Sequence, residues 1–281
     1  MKSSRRRALA ATALLAAAPL MITACAGTDA DSSSATEAAG DVIVAAADPS
    51  LLPYNFVGDD GKTWEGLNIS LAEVLSEKLG RTIRFEAAGF DTIIPGLTSG
   101  RYDLALTGMF DTQERQKTVD FVDYLLAENN FLTREGYREI VDMDDLCGEK
   151  VGIPSGAIEG GLLAEASERC VVAGEAAIDV AEYSDLDAVV LALTSQRIDV
   201  APNDSAANAY IVKNAKGLVT SGGYLNEGYF AAAFAKDSDL TAEFEAAFAE
   251  IMADGSYAEV LEEWGIPSRG MDEPIINGSP F

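Results

Sequence analysis

The feature that most constrains this chain is an alternation of strand-like and helix-like segments that occurs twice. In the first passage, "DVIVAAAD" (41–48) is a β-branched apolar run with no helical stripe, and it reads as a buried strand. "SLAEVLSEKLGR" follows, with Leu71, Val74, Leu75 and Leu79 at helical spacing and Gly80 as the stop. "TIRFEAA" alternates as a strand does, "FDTIIPGLTSG" reads as a short helix, and "YDLALTG" as the next strand. In the second passage "KVGIPSG", "DVAEYSD" and "IDVAPND" are the strands, and "AIEGGLLAEASERC" and "LDAVVLALTSQ" are the helices. A βαβα rhythm predicts parallel strands flanked by helices. "LTSGRYDLA" (97–105) and "LTSQRIDVA" (193–201) match at six of nine positions, each at a helix–strand junction of its own passage. That echo predicts two similar α/β lobes, although such junctions also share chemistry by chance.

Two extended segments bound the second passage: "NNFLTRE" (129–135) and "GYFAAAFAK" (228–236). Read as crossing strands, they carry the chain out to a second lobe and back. The boundaries follow: lobe 1 over 41–132 plus 230–281, and lobe 2 over 133–229. The last helices, "LTAEFEAAFAEIMADG" and "YAEVLEEWG", then pack on lobe 1. Two lobes on two crossing strands make a hinge, with a ligand cleft between them.

The first residues indicate a compartment. Lys2, Arg5, Arg6 and Arg7 precede a short alanine-rich apolar run that ends in Ile22-Thr23-Ala24-Cys25. This reads as a secretory signal over 1–24 and not as a membrane span. Its end is similar to the bacterial lipobox, which makes Cys25 the lipidated first residue of the mature chain. A plain signal containing a cysteine is the alternative. The expected location is therefore the outer face of the cell membrane, anchored by lipid. The paired arginines leave both the general and the twin-arginine export routes open. Residues 25–40, small and polar, read as a flexible tether.

Composition excludes several function classes. The net charge is −26, and four of the 20 basic residues lie in the leader, which argues against nucleic acid as a partner. There is no histidine. That removes histidine-containing metal sites and the nucleophile pairs that use histidine as base. Besides Cys25 the chain has Cys147 and Cys170. In an oxidising compartment an even pair reads as a disulfide, the alternative being two buried thiols.

Several stretches in order carry a family likeness: "DPSLLPYNF", "GLNISLAEVLSEKLG", "FDTIIPGLTSGRYDLALTGM", "DTQERQKTVDFVDYL", "DLCGEKVGIPSG", "SQRIDVAPNDSAANAY" and "MADGSYAEVLEEWGI". From Val42 to Trp264 the chain resembles the bacterial extracellular solute-binding proteins of family 3, receptors of polar amino-acid ABC transporters, in an actinobacterial form. The resemblance implies a two-lobed α/β fold of the type II periplasmic-binding kind. It implies a monomer without cofactor or metal that passes a small amino acid or related zwitterion to permease subunits.

It also implies roles for particular residues. Arg115 corresponds to the arginine that grips the ligand α-carboxylate, as a planar guanidinium can through two parallel hydrogen bonds. A salt bridge to Asp111 is the alternative. Asp204 corresponds to the aspartate that takes the α-ammonium, with Thr107 and Gly108 nearby; it also suits an N-cap. Backbone N–H groups of Ala157 and Ile158 correspond to carboxylate donors at a helix start. Asp48, Leu51, Tyr54 and Phe90 correspond to the side-chain pocket, with core packing as the alternative. The chain departs from the pattern at Asn68 and Ser70, where aspartates are usual, and at Ala157 and Ile158, which lack hydroxyls. Phe110 replaces a small hydroxyl residue at the ligand. Two other functions fit the same scaffold. One is an enzyme, a dehydratase or murein-cleaving module, using Glu65, Glu159 or Glu227 as acid or base. The other is a sensor for a membrane signalling partner.

Overall fold

A computed structural model describes residues 42–58 and 60–279, except the side chains of Tyr224 and Asn226. The leader, the tether and Cys25 lie outside the described residues.

The chain opens with β1 (Val42–Ala47), the short strands β2 (Ser50–Leu51), β3 (Asn55–Val57) and β4 (Trp64–Glu65), and helix α1 (Leu67–Leu79). Then come β5 (Thr82–Ala87), α2 (Phe90–Thr98), β6 (Leu104–Phe110), the one-turn α3 (Gln113–Gln116) and the long β7 (Val119–Arg134). The second passage holds β8 (Lys150–Pro154), α4 (Glu159–Val172), β9 (Asp179–Tyr183), α5 (Leu186–Thr194), β10 (Val200–Asp204) and α6 (Ser205–Asn214). The long β11 (Leu218–Ala235) returns, followed by α7 (Asp239–Asp254), α8 (Ser256–Glu263) and β12 (Ile275–Ile276). The strands predicted from alternation are all present.

One mixed sheet runs in the order β5-β1-β6-β11-β7-β10-β8-β9, with β12 on β7. β5, β1 and β6 are parallel to one another, as are β9, β8 and β10. Between these two parallel sets, β7 and β11 pair antiparallel along most of their length. β7 meets β12 at Val122 and Asp123 and β10 from Asn129 onward, so it serves both halves of the sheet. These strands extend well before the crossing segments expected at 129–135 and 228–236. Asp120 and Asp123 interrupt the apolar pattern of β7, but both are buried against partners elsewhere. Lys236 and the N–H of Asp237 bond Asp120, and the N–H of Gly278 bonds Asp123. Polar residues bonded by distant segments do not end a strand.

The Cys147–Cys170 disulfide is formed, tying the entry to β8 to the last turn of α4. Tyr124 of β7 stacks on Phe248 of α7 at 5.2 Å, and the Tyr257 hydroxyl of α8 donates to the Tyr124 carbonyl at 2.5 Å. The last helices thus pack against the first half of β7.

Candidate functional site

The strand ends of both parallel sets converge on one cleft. It is lined by Asp48, Ser50, Leu51, Phe90, Gly108, Phe110, Arg115, Asn129, Pro154, Ala157, Ile158, Glu159, Leu186, Asn203, Asp204 and Phe230. It leaves about 60 Å³ for the centres of water molecules. A neighbouring cavity of about 380 Å³ shares Asp48 and Ser50 and adds Asp185 and Asp187.

β6 supplies the floor. Gly108 has φ +63°, a conformation that favours glycine, and a Cβ there would lie 2.7 Å from Leu51 Cδ2. Phe110 is buried, its ring edge-on to Phe230 at 4.9 Å, and Phe230 meets Tyr54 edge-on at 5.1 Å. The phenylalanine in place of a hydroxyl residue is therefore one part of an aromatic wall. Its carbonyl accepts from Arg115 Nη1 at 2.7 Å.

Arg115 stands on α3, whose N-cap Thr112 accepts from the Arg115 N–H. Its second terminal nitrogen donates to the Gly156 carbonyl at 3.0 Å, and the guanidinium lies 5.5 Å from the Phe90 ring centroid. Burial pulls its pKa down to about 10, against the pull of Glu159 and Asp111, so it is protonated at neutral pH. The alternative salt bridge to Asp111 does not form. Asp111 is bonded by Gln116 Nε2 and the Ser279 N–H.

Asp204 fulfils one of its alternatives outright: it caps α6, Oδ1 accepting from the Ala207 N–H at 2.9 Å. The same oxygen accepts from the Tyr54 hydroxyl at 2.9 Å. Oδ2 is buried and has no hydrogen-bond partner among the described residues. Burial raises the Asp204 pKa, with the Ala207 N–H, Arg269 and Tyr54 pulling it down. Tyr54 and Thr107 support the cleft without lining it. Tyr54 is fully buried behind Asp204, and Thr107 accepts from the Asp48 N–H at 2.8 Å. Asp48 in turn accepts from the Ser50 N–H and hydroxyl, and burial raises its pKa.

From the other side come Ala157 and Ile158. The Ala157 N–H is engaged in a turn to the Pro154 carbonyl at 3.2 Å, and Ile158 is the N-cap of α4. Of the three glutamates considered for catalysis, Glu159 alone lines the cleft. Glu65 lies on β4, and Glu227 lines a separate depression beside Glu128 and Arg269. Burial raises Glu159 to about 7, against its own N–H, Arg115 and Asn129.

Asn129 was not singled out by the sequence. It faces Asp204 across the β7–β10 pairing, and its amide nitrogen donates to Glu159 Oε1. Its Oδ1, like Asp204 Oδ2, is buried without a partner among the described residues. Only the strand register could have shown this. The cleft therefore holds one guanidinium, three carboxyl groups and two unsatisfied acceptors, a set suited to holding an ionic ligand.

The family model for bacterial extracellular solute-binding proteins, family 3, matches residues 43–267. The chain is 27% identical to the arginine-binding protein ArgT of Corynebacterium glutamicum over 245 residues, 85% of this chain and 79% of that one. It is 30% identical to the arginine-binding extracellular protein ArtP of Bacillus subtilis over 236 residues, 83% of this chain and 89% of that one. Solved structures of an ancestral arginine-binding protein, bound to glutamine or to arginine, superpose with a TM-score of 0.73. They show 29% identity and cover 80% of this chain and 98% of theirs.

Proposed function

We propose that this chain, which belongs to the bacterial extracellular solute-binding proteins of family 3, closes its cleft on the amino and carboxylate groups of a small amino acid. The observation that carries this reading is the pair of unpartnered buried acceptors, Asp204 Oδ2 and Asn129 Oδ1, in the same cleft as Arg115. A buried acceptor without a donor is costly, and an ammonium supplies three donors. Arg115 spends two of its five N–H groups on carbonyls, leaving three for a carboxylate. The reading requires no bond to be made or broken.

Arg115, Asn129 and Asp204 line one cleft, so they can meet the two ends of an amino acid's backbone together. A longer side chain extends past Leu51 and Asp48 toward Asp185 and Asp187, an acidic path that favours a cationic side chain. The lobes in this reading are 41–132 with 230–281, and 133–229. The mature protein acts as a monomer, tethered by a lipid on Cys25, and hands its ligand to permease subunits. Replacing Cys25 with Ala should release it to the medium.

The direct test is calorimetry and thermal shift of the purified protein with L-arginine, L-lysine and L-glutamine. A ligand at a hundred times its dissociation constant adds about 2.7 kcal/mol of stability. If no amino acid shifts unfolding while des-amino carboxylates do, the ammonium pole is wrong.

A further inference from the structure

Asn129 and Asp204 are directly opposite one another in the antiparallel β7–β10 pair, so their side chains leave the same face of the sheet side by side. Each keeps one buried oxygen without a donor. An amide has no intrinsic reason to present its oxygen rather than its nitrogen to a cavity. Here the choice is made by Glu159, the first residue of α4, which is 5% exposed and accepts from Asn129 Nδ2 through Oε1. Turning the amide over would point its oxygen at the carboxyl of Glu159.

We propose that Asp204, Asn129 and Glu159 form one ammonium cage, in which Asn129 touches the ligand and Glu159 is a positioning residue that orients the amide and makes cation capture proton-linked. This rests on the amino-acid reading of the cleft. The charged groups around Glu159 come from several elements. Arg115 faces it from α3 and Asp204 from β10, while Asp48 lines the same cavity from the loop after β1. Tyr54 and Arg269 act on Asp204 from behind. Burial holds Glu159 near 7, so at pH 6 it is mostly protonated. A cation beside it favours the carboxylate, so binding at pH 6 expels a proton and affinity rises with pH.

The test is isothermal titration of the wild-type protein with L-arginine, L-lysine and L-glutamine at pH 6 and pH 8, each in two buffers of different protonation enthalpy. A single group of pKa about 7 that is fully ionised in the complex gives about tenfold tighter binding at pH 8 than at pH 6. It also gives release of nearly one proton per ligand at pH 6. Glu159→Gln retains an acceptor for Asn129 and flattens both the pH profile and the buffer dependence. Glu159→Ala, without that acceptor, binds more weakly than Glu159→Gln. Asn129→Ala weakens binding by about tenfold or more, the loss of a hydrogen bond to a charged group. Equal wild-type affinity at pH 6 and 8 without buffer-dependent heat overturns the cage while leaving amino-acid binding intact. An unchanged pH slope in Glu159→Gln does the same. Failure of all three amino acids to bind overturns the reading on which the cage rests, and the cage with it.

Discussion

Replacing Asp204 with Asn separates two roles that one carboxylate combines. Oδ1 caps α6 and receives the Tyr54 hydroxyl, each at 2.9 Å, whereas Oδ2 is buried without a partner among the described residues. An asparagine keeps one oxygen, so both Oδ1 bonds survive, and only the charge and the free acceptor are lost. Burial raises the Asp204 pKa above its unfolded value. The stability associated with its protonated form is complete below about pH 4 and is lost as pH rises through the folded value. The amide removes that loss, so Asp204→Asn is at least as stable as wild type at pH 7. Ligand affinity moves the other way: losing one partner of a buried charge pair costs roughly 2–5 kcal/mol, a 30-fold or greater rise in Kd. Asp204→Ala differs again. It forfeits the cap, about 1 kcal/mol, and strands the buried Tyr54 hydroxyl, about 1–3 kcal/mol. The assay is urea unfolding of the three proteins beside calorimetry with L-arginine. If Asp204→Asn binds as wild type does and unfolds as early as Asp204→Ala, Asp204 is a helix cap and the ammonium assignment fails.

Three further outcomes are measurable with the same material. Arg115→Ala should weaken amino-acid binding by roughly 2–5 kcal/mol by calorimetry. Arg115→Lys should recover only part of it, because a point charge cannot span the Phe110 and Gly156 carbonyls as well as a carboxylate. Asp123, buried against the carboxyl of Asp111, is raised to about 8 by burial first and by Asp111 second. Its contribution to stability is whole below about pH 4 and disappears as pH rises through 8, so Asp123→Asn should flatten the unfolding free energy over that window. The Cys147–Cys170 bridge spans a sequence separation of 23 residues. Replacing both cysteines with alanine, or adding reductant, should cost about 3 kcal/mol in denaturant unfolding.

What the sequence made legible follows from where each signal resides. Strand and helix periodicity is local, and β1, β5, β6, β8, β9 and β10 with their helices appear where it placed them. The long strands β7 and β11 are longer than the segments 129–135 and 228–236, because Asp120 and Asp123 in β7 and Gly222 and Gly223 in β11 look like loop chemistry. The partners of the two aspartates are far along the chain, at Lys236 and Gly278. The proposed poles of the site come from family likeness, and Arg115 and Asp204 sit at element ends that such folds turn toward ligands. Asn129 and the orientation of its amide were not legible, because they depend on the register of β7 against β10. Thr107 and Tyr54 show the converse. Their likeness to ligand residues is real in sequence, but both are spent holding Asp48 and Asp204. Phe110 carries a large ring where a hydroxyl is usual, yet that ring packs on Phe230 and the backbone carbonyl serves Arg115.

With the lobes as proposed, the side-chain hydrogen bonds between them include Asn129 to Glu159, Asn208 to Asn130 and Arg269 to Ser205, and three more: Arg115 to the Gly156 carbonyl, Tyr54 to Asp204, and the Leu186 N–H to Ser50 Oγ at 3.2 Å. Each contributes a net 0.5–1.5 kcal/mol, so the last three alone bias the empty protein toward closure by about 2–4 kcal/mol. A ligand moves such an equilibrium only by its differential affinity for the two arrangements. A protein already closed has little population left to shift, and its ligand must enter through a minor open form, which lowers apparent affinity by the fraction that is open. Removing two of these bonds with Tyr54→Phe and Ser50→Ala should therefore expand the empty protein in small-angle scattering and speed ligand association. Wild type should change its radius of gyration little when L-arginine is added. Should empty wild type match the double variant in radius, and contract as much on binding, the cross-cleft bonds do not hold the lobes together and closure depends on the ligand alone.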